Sequence, residues 1–209
     1  MERLRQFTYG IIAGICIGVG GTVFLSSDNS VVGAFLFGIG LLSILFFKLQ
    51  LFTGKIGYIF VNKPSYFIEL VLTWAGNFIG TFFAAVLIRH TRIFEKLDKV
   101  YSIVDIKLND DILSVFILSF FCGILMFIAV DIFNSAKEGT VKITGVLFPV
   151  AVFILSGFEH CVANMFYFSL AGVFSINSLF YIIVMTFGNS VGGVVIPAAR
   201  KFLSGENKR

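Results

Sequence analysis

Charge is what this chain has least of. Only 13% of its 209 residues are Asp, Glu, Lys or Arg, about half the share of a soluble domain. With 57% hydrophobic residues and a mean hydropathy of +0.96, there is too little polar surface for water, so the lipid bilayer is the expected solvent. Cysteine is scarce too. Cys16, Cys122 and Cys161 each lie in an apolar stretch with no CxxC partner, which excludes a disulfide framework and a zinc site and leaves buried free thiols. Histidine occurs twice. HExxH is absent, because Glu159 precedes His160 and no second histidine follows four residues on. His90 ends an apolar segment, which argues against a bis-His haem, and no Ser-His-Asp set falls within the apolar segments. No cofactor, metal or enzymatic chemistry is therefore expected. No basic run with interleaved aromatics is present, which argues against nucleic acid as a partner.

What is present is apolar sequence in long blocks. A spanning helix needs about 20 mostly apolar residues, and six segments qualify, at about 8–26, 31–61, 66–88, 112–134, 142–172 and 177–203. The expected fold is an all-α membrane protein of six transmembrane helices in one domain, 1–209. "MERLRQF" leads into the first segment without a small-residue cleavage pattern and reads as the start of a retained helix. The second and fifth segments are too long for one span, and each is interrupted, by "KLQLFTGK" and "SGFEHCVAN". Short connectors carry turn residues. The one long connector, Arg89 to Asp111, holds ten charges and is amphiphilic enough to lie partly on the surface. With the N-terminus inside, and Lys48 and Lys55 beside the first interruption left out, the inner loops and tails hold nine Lys and Arg, Lys208 and Arg209 among them, against five in the outer loop. That bias places both termini in the cytoplasm.

The two halves, about 1–90 and 112–203 with the loop 91–111 between them, echo each other. Gly76-Asn77 with Gly80 and Gly188-Asn189 with Gly192 spell the same G-N-x-x-G at an offset of 112, and "AG" at 13–14 matches "CG" at 122–123 at an offset of 109. Three spans per half make the second half enter from the opposite side, an inverted repeat of three plus three with the second and fifth helices broken. Irregular backbone at membrane depth is tolerated only where protein buries it or a watery cavity lines it, and half-helix N-termini present donors that suit an anion. Matched breaks therefore predict one pathway between the halves. The glycines are expected in helix packing, and the asparagines as partners of the freed backbone or of a solute.

Glu159 and His160 stand inside the second break, with sixteen uncharged residues before them, Ile143 to Phe158. An intramembrane ionisable group costs roughly 2.5–3.5 kcal/mol on insertion scales and marks function by default. Imidazole titrates near neutral pH, so His160 is the candidate solute contact. Glu159, one residue away, is expected to face a neighbouring helix and anchor the break.

"GFEHCVANMF", "LFTG" at 51–54 and "GNSVGG" at 188–193 together resemble the signatures of the formate/nitrite transporter family, in the family's order and across the whole chain. The resemblance implies an aquaporin-like fold, cytoplasmic termini, and a homopentamer in the cell membrane with a pore in each protomer. It implies as partner a small monovalent anion of a weak acid or its conjugate acid: formate, nitrite, hydrosulfide, sometimes acetate or lactate. By the same resemblance His160 is the central histidine, Leu51, Phe52 and Thr53 are the loop residues, and Phe37, Leu41 and Phe153 complete the constrictions. Lys107 is the basic residue of the outer vestibule, and Asn164 and Asn189 match in kind. The chain departs from the family at Gly123, where many members carry an asparagine near the histidine, and at Lys48, Gln50 and Lys55 beside the loop. The two lysines either concentrate anions or snorkel to the interface.

Together these readings give a pore in which apolar collars (Phe37, Leu41, Leu51, Phe52, Phe153) exclude hydrated ions. Thr53 and His160 meet the solute between them, and His160 hands the anion a proton so that it crosses as the neutral acid. The alternative is a passive aquaporin-like channel for small neutral solutes.

Overall fold

A computed structural model describes residues 1–203; Lys208 and Arg209, counted above toward the inner charge, lie outside the described residues. The elements are helical: α1 (Glu2–Ser26), α2 (Ser30–Phe46), α3 (Phe52–Lys55) continued by a 3-10 segment (Ile56–Val61), and α4 (Tyr66–Arg89). A 3-10 turn (Phe94–Lys96) leads to α5 (Lys99–Leu108), followed by α6 (Ile112–Ser135), α7 (Gly139–Leu155), α8 (Cys161–Ala171) and α9 (Ile176–Leu203). Among the described residues four helices, α1, α4, α6 and α9, are long and apolar enough to cross a bilayer. The shorter apolar pieces come in two pairs, α2 with α3 and its 3-10 extension, and α7 with α8. The expected second and fifth segments are thus each two pieces joined by a break.

Side chains in the connectors set where helices begin. The Asn29 side chain accepts from the N–H groups of Val31 and Val32 at the start of α2, and Asp111 does the same for Leu113 and Ser114 of α6. These N-caps satisfy donors that the first turn leaves orphaned. The long connector is not simply a loop: it contains α5, which buries Val100 and Val104, turns Lys107 inward and leaves Asp105 exposed.

Helix packing depends on missing Cβ atoms. α1 runs along α4 and α6 along α9. A Cβ on Gly14 would collide with the Asn77 carbonyl oxygen, and one on Gly123 with that of Asn189. Gly80 meets Ile11 and Gly192 meets Phe120 in the same way. Each contact in the first pair of helices therefore has a counterpart in the second, and close backbone approach through small residues is how apolar helices associate where lipid supplies no hydrophobic drive. At Gly123 this also explains the departure noted above: no asparagine side chain fits at that position. The short pieces cross over, α8 lying against α4 and the Ile56–Val61 segment against α9.

The breaks match turn for turn. In the first, Phe47 N–H donates to Ser43 O (3.0 Å) and Leu49 N–H to Ile44 O (2.8 Å); in the second, Ser156 N–H donates to Val152 O (2.9 Å) and Phe158 N–H to Phe153 O (2.9 Å). Both helices end in a left-handed residue, as helix C-termini commonly do. In the second it is Gly157, at φ 69°, and in the first it is Lys48, at φ 54°. Left-handed backbone costs a non-glycine residue roughly 1–2 kcal/mol, and Lys48 is the only non-glycine among the described residues to adopt it. Lys48→Gly is expected to raise stability by about 1 kcal/mol, and Gly157→Ala, which meets no neighbour within 4 Å, to lower it by about as much. Thermal unfolding in detergent micelles measures both.

Candidate functional site

Each break frees backbone groups in the core of the protein, and one asparagine gathers them. Asn77 of α4 accepts from Phe52 N–H (2.9 Å) and donates to Gly10 O (2.9 Å) and Gln50 O (2.8 Å). Asn189 of α9 accepts from Cys161 N–H (2.9 Å) and donates to Ser119 O (2.8 Å) and Glu159 O (2.7 Å). The partners correspond one to one at an offset of 109. Both side chains are fully buried, and each uses both amide hydrogens and its oxygen on backbone. Asn189 is thus turned to the polypeptide, as one of the two roles expected of it requires. It also changes what the half-helix ends offer: the first N–H of each, Phe52 and Cys161, is already taken by one of this chain's own side chains.

The third donor at the α8 terminus is taken by His160. Its Nδ1 accepts from Ala163 N–H at 3.0 Å, making the ring the N-cap of its own helix. A backbone N–H only donates, so Nδ1 carries the lone pair and the neutral ring carries its hydrogen on Nε2. Nε2 lies 2.9 Å from Thr53 Oγ1, at the other break, so the imidazole donates and the hydroxyl accepts. The Thr53 hydrogen remains free to turn. With glycine at 123 rather than an asparagine, it is the backbone of Ala163 that holds the second nitrogen.

Apolar rings close the space around this pair. Phe153 stacks on the His160 imidazole, centroids 5.5 Å apart, and meets Phe37 edge-on at 5.8 Å. Phe37, Leu41 and Leu51 are at most 3% exposed. Phe52 is buried as well, and its backbone is held by Asn77.

A cavity opens on each side. One, of about 240 Å³, is lined by Phe153, Glu159, His160, Ala163, Asn164 and Tyr167, with Lys107 and Asp110 from the α5 end. The other, of about 220 Å³, is lined by Leu41, Ile44, Leu51, Gly54, Lys55 and Tyr58, with Tyr66, Val130 and Asn134. His160, Ala163, Asn164 and Tyr167 in the first occupy the repeat positions of Leu51, Gly54, Lys55 and Tyr58 in the second.

Glu159 lies in extended backbone between helices, not on one, and is 3% exposed. Lys107 and Asn164 both donate to its Oε2, the latter at 2.7 Å. Glu159 therefore joins α5 and α8 while lining a cavity, and Lys107 is held by it at the cavity wall. Asn164 also donates to His160 O (3.1 Å), and its buried oxygen has no protein partner. In the other cavity Lys55 donates to Gln50 Oε1 (2.6 Å) and stands 3.6 Å from Glu69. Sequence reasoning missed Tyr58, Tyr66, Asn134 and Glu69 here. Extending the 109-residue offset from the glycines to the breaks would have paired Tyr58 with Tyr167; the others carry no local signal.

The comparisons with known proteins agree with this architecture. Residues 1–202 match the family model described as Formate/nitrite transporter. The uncharacterized transporter YrhG of Bacillus subtilis is 29% identical over 197 residues, covering 87% of this chain and 74% of that protein. The nitrite transporter NirC of Salmonella typhimurium is 27% identical over 209 residues, covering 88% and 77%. A solved pentameric formate channel with formate bound superposes with a TM-score of 0.83 at 26% identity, over 97% of each chain.

Asn189→Leu is expected to lower stability by about 2–4 kcal/mol, because Cys161 N–H, Ser119 O and Glu159 O would be left without their partner in a dry core. Asn77→Leu should cost about as much. A detergent unfolding series reads both; a change under about 0.5 kcal/mol would show that water replaces the asparagine.

Proposed function

The chain belongs to the formate/nitrite transporter family, and from that membership and the site geometry we propose that it is a membrane channel for small monovalent anions of weak acids, formate, nitrite or hydrosulfide. The observation that carries the proposal is the His160–Thr53 hydrogen bond between apolar constrictions, with a cavity on either side. A solute arriving there exchanges one internal bond for two donors, the imidazole Nε2–H and the Thr53 hydroxyl. Neither bears a full charge, so the site suits a small oxyanion or thiolate while the collars refuse a hydrated cation. We read the whole as six spans in an aquaporin-like inverted repeat, assembled as a homopentamer like the pentameric formate channel it resembles. The proposed setting is the cell membrane with cytoplasmic termini, which makes the Lys107 cavity the outer vestibule and the Lys55 cavity the inner one. The matched hydrogen bonds of Asn77 and Asn189 support the repeat.

Proton transfer from His160 has a definite structural requirement. If the ring gives its Nε2 hydrogen to the anion and stays neutral, it must take a proton at Nδ1 from solvent water, and the bond from Ala163 N–H must open. The solute would then pass the phenylalanine and leucine collars as an uncharged acid, avoiding the several kcal/mol that a bare charge costs in such surroundings. Nothing in the family or the site favours the alternative of a channel for neutral solutes.

His160→Asn is expected to cut formate and nitrite flux into pH-clamped proteoliposomes at least tenfold and to flatten its pH dependence. Flux that keeps the parent's pH dependence would mean that the solute takes its proton from water and that His160 acts only as a hydrogen-bond donor.

A further inference from the structure

The two cavities have the same plan, but at equivalent positions a residue charged in one is neutral in the other. The hydrogen bond from Asn164 to Glu159 in one is repeated as that from Lys55 to Gln50 in the other. Where the Lys107 cavity has an acid and an amide, the Lys55 cavity has an amide and a lysine. Gly157, which lines the Lys107 cavity, is matched by Lys48, an exposed cation held in left-handed backbone where glycine would fit without strain. Gln50 ties the two lysines together, donating to Lys48 O (3.3 Å) and accepting from the Lys55 ammonium.

The charges at each mouth follow. At the Lys55 mouth Lys55 pairs with Glu69, the neighbouring Asp131 pairs with Arg200, and the exposed Lys48, joined to Lys55 through Gln50, has no acidic partner among the described residues. One positive charge is left over. At the other mouth Lys107 stands against Glu159 and Asp110. Adding Lys99, which sits over the ring of the lining Phe24 at 4.3 Å, brings that mouth to neutrality.

We propose that Lys48 and Lys55 make the Lys55 mouth the anion-capturing end of the pore, a specificity feature of this chain built by charge replacement at repeat positions. The proposal rests on the anion-channel reading above. The retained strain at Lys48 fits a residue kept for its charge, since backbone strain persists where function requires it. A mouth with low-dielectric walls and one sign of charge raises the local concentration of the opposite ion.

Detailed balance constrains what such a mouth does. A passive pore has the same limiting permeability in both directions at low solute, whatever charge stands at one end. The captured anion instead lowers the half-saturating concentration from that face and makes conduction sensitive to salt on that face. One unit charge a few ångströms from an anion in water is worth about 1 kcal/mol, roughly fivefold in occupancy, and screening by salt removes most of it beyond the Debye length of about 8–10 Å.

Formate and nitrite flux in right-side-out and inside-out membrane vesicles tests this, with orientation fixed by protease access to a tag placed after residue 209. In the parent chain the half-saturating concentration is expected to be three- to fivefold lower when solute is added to the face carrying Lys55, with equal limiting permeability from both faces. Raising ionic strength on that face should abolish the difference. Lys48→Gly and Lys55→Gln should each reduce it, the double variant should remove it, and Lys55→Arg should retain it. Lys48→Gly relieves strain, so it keeps the test interpretable if Lys55→Gln folds poorly. Equal half-saturation from both faces in the parent, or an asymmetry that survives in the double variant, overturns the proposal. A parent chain that passes neither formate nor nitrite overturns the channel reading itself, and this inference with it.

Discussion

A polypeptide interrupted inside a bilayer has no water to satisfy its freed N–H and C=O groups, and each unmet group costs several kcal/mol. The rest of this structure depends on how that demand is met. Asn77 and Asn189 each bind three backbone groups around a break. The breaks in turn need to sit beside those asparagines, and that fixes the approach of α1 to α4 and of α6 to α9. Only glycine at 14, 80, 123 and 192 lets the helices come close enough. The asparagine clamp, the glycine seam and the broken helix are one device used twice.

The device also places the chemistry. Holding Phe52 and Cys161 by their N–H groups sets the residues beside them, Thr53 and His160, 2.9 Å apart across the centre. His160 is doubly committed, capping its own helix through Nδ1 and facing the other break through Nε2. A ring held in this way has one tautomer and one direction, so the site presents a fixed donor between apolar walls. The first donor of each short helix is spent internally, Phe52 N–H on Asn77 and Cys161 N–H on Asn189.

Symmetry accounts for the frame, and departures from symmetry account for function. His160 stands where Leu51 stands in the other half, so the centre holds a single histidine. Glu159 faces Gln50, Asn164 faces Lys55 and Gly157 faces Lys48 across the same relation. These substitutions leave the asparagine clamps in place and change the charge and pairing of the cavity walls. A fold built from two matched halves can therefore vary its charge pattern at each mouth without disturbing the clamps.

The sequence by itself determined that the chain lives in lipid, that two of its apolar segments are broken, and that the halves repeat. Hydropathy, interruption and the G-N-x-x-G spacing are local properties, and lipid enforces their consequences strictly. It also singled out His160, because an ionisable residue amid apolar neighbours is visible without any structure. Only the tertiary structure decided the partners. Asn189 reads equally as a solute contact or a backbone clamp until the broken end of α8 lies against it. Glu159 reads as an anchor, and it takes the approach of α5 to show that its anchor, Lys107, also lines a cavity. The strain at Lys48 and the pairing of Lys55 with Gln50 and Glu69 depend on backbone angles and contacts between distant segments, which periodicity and composition do not encode.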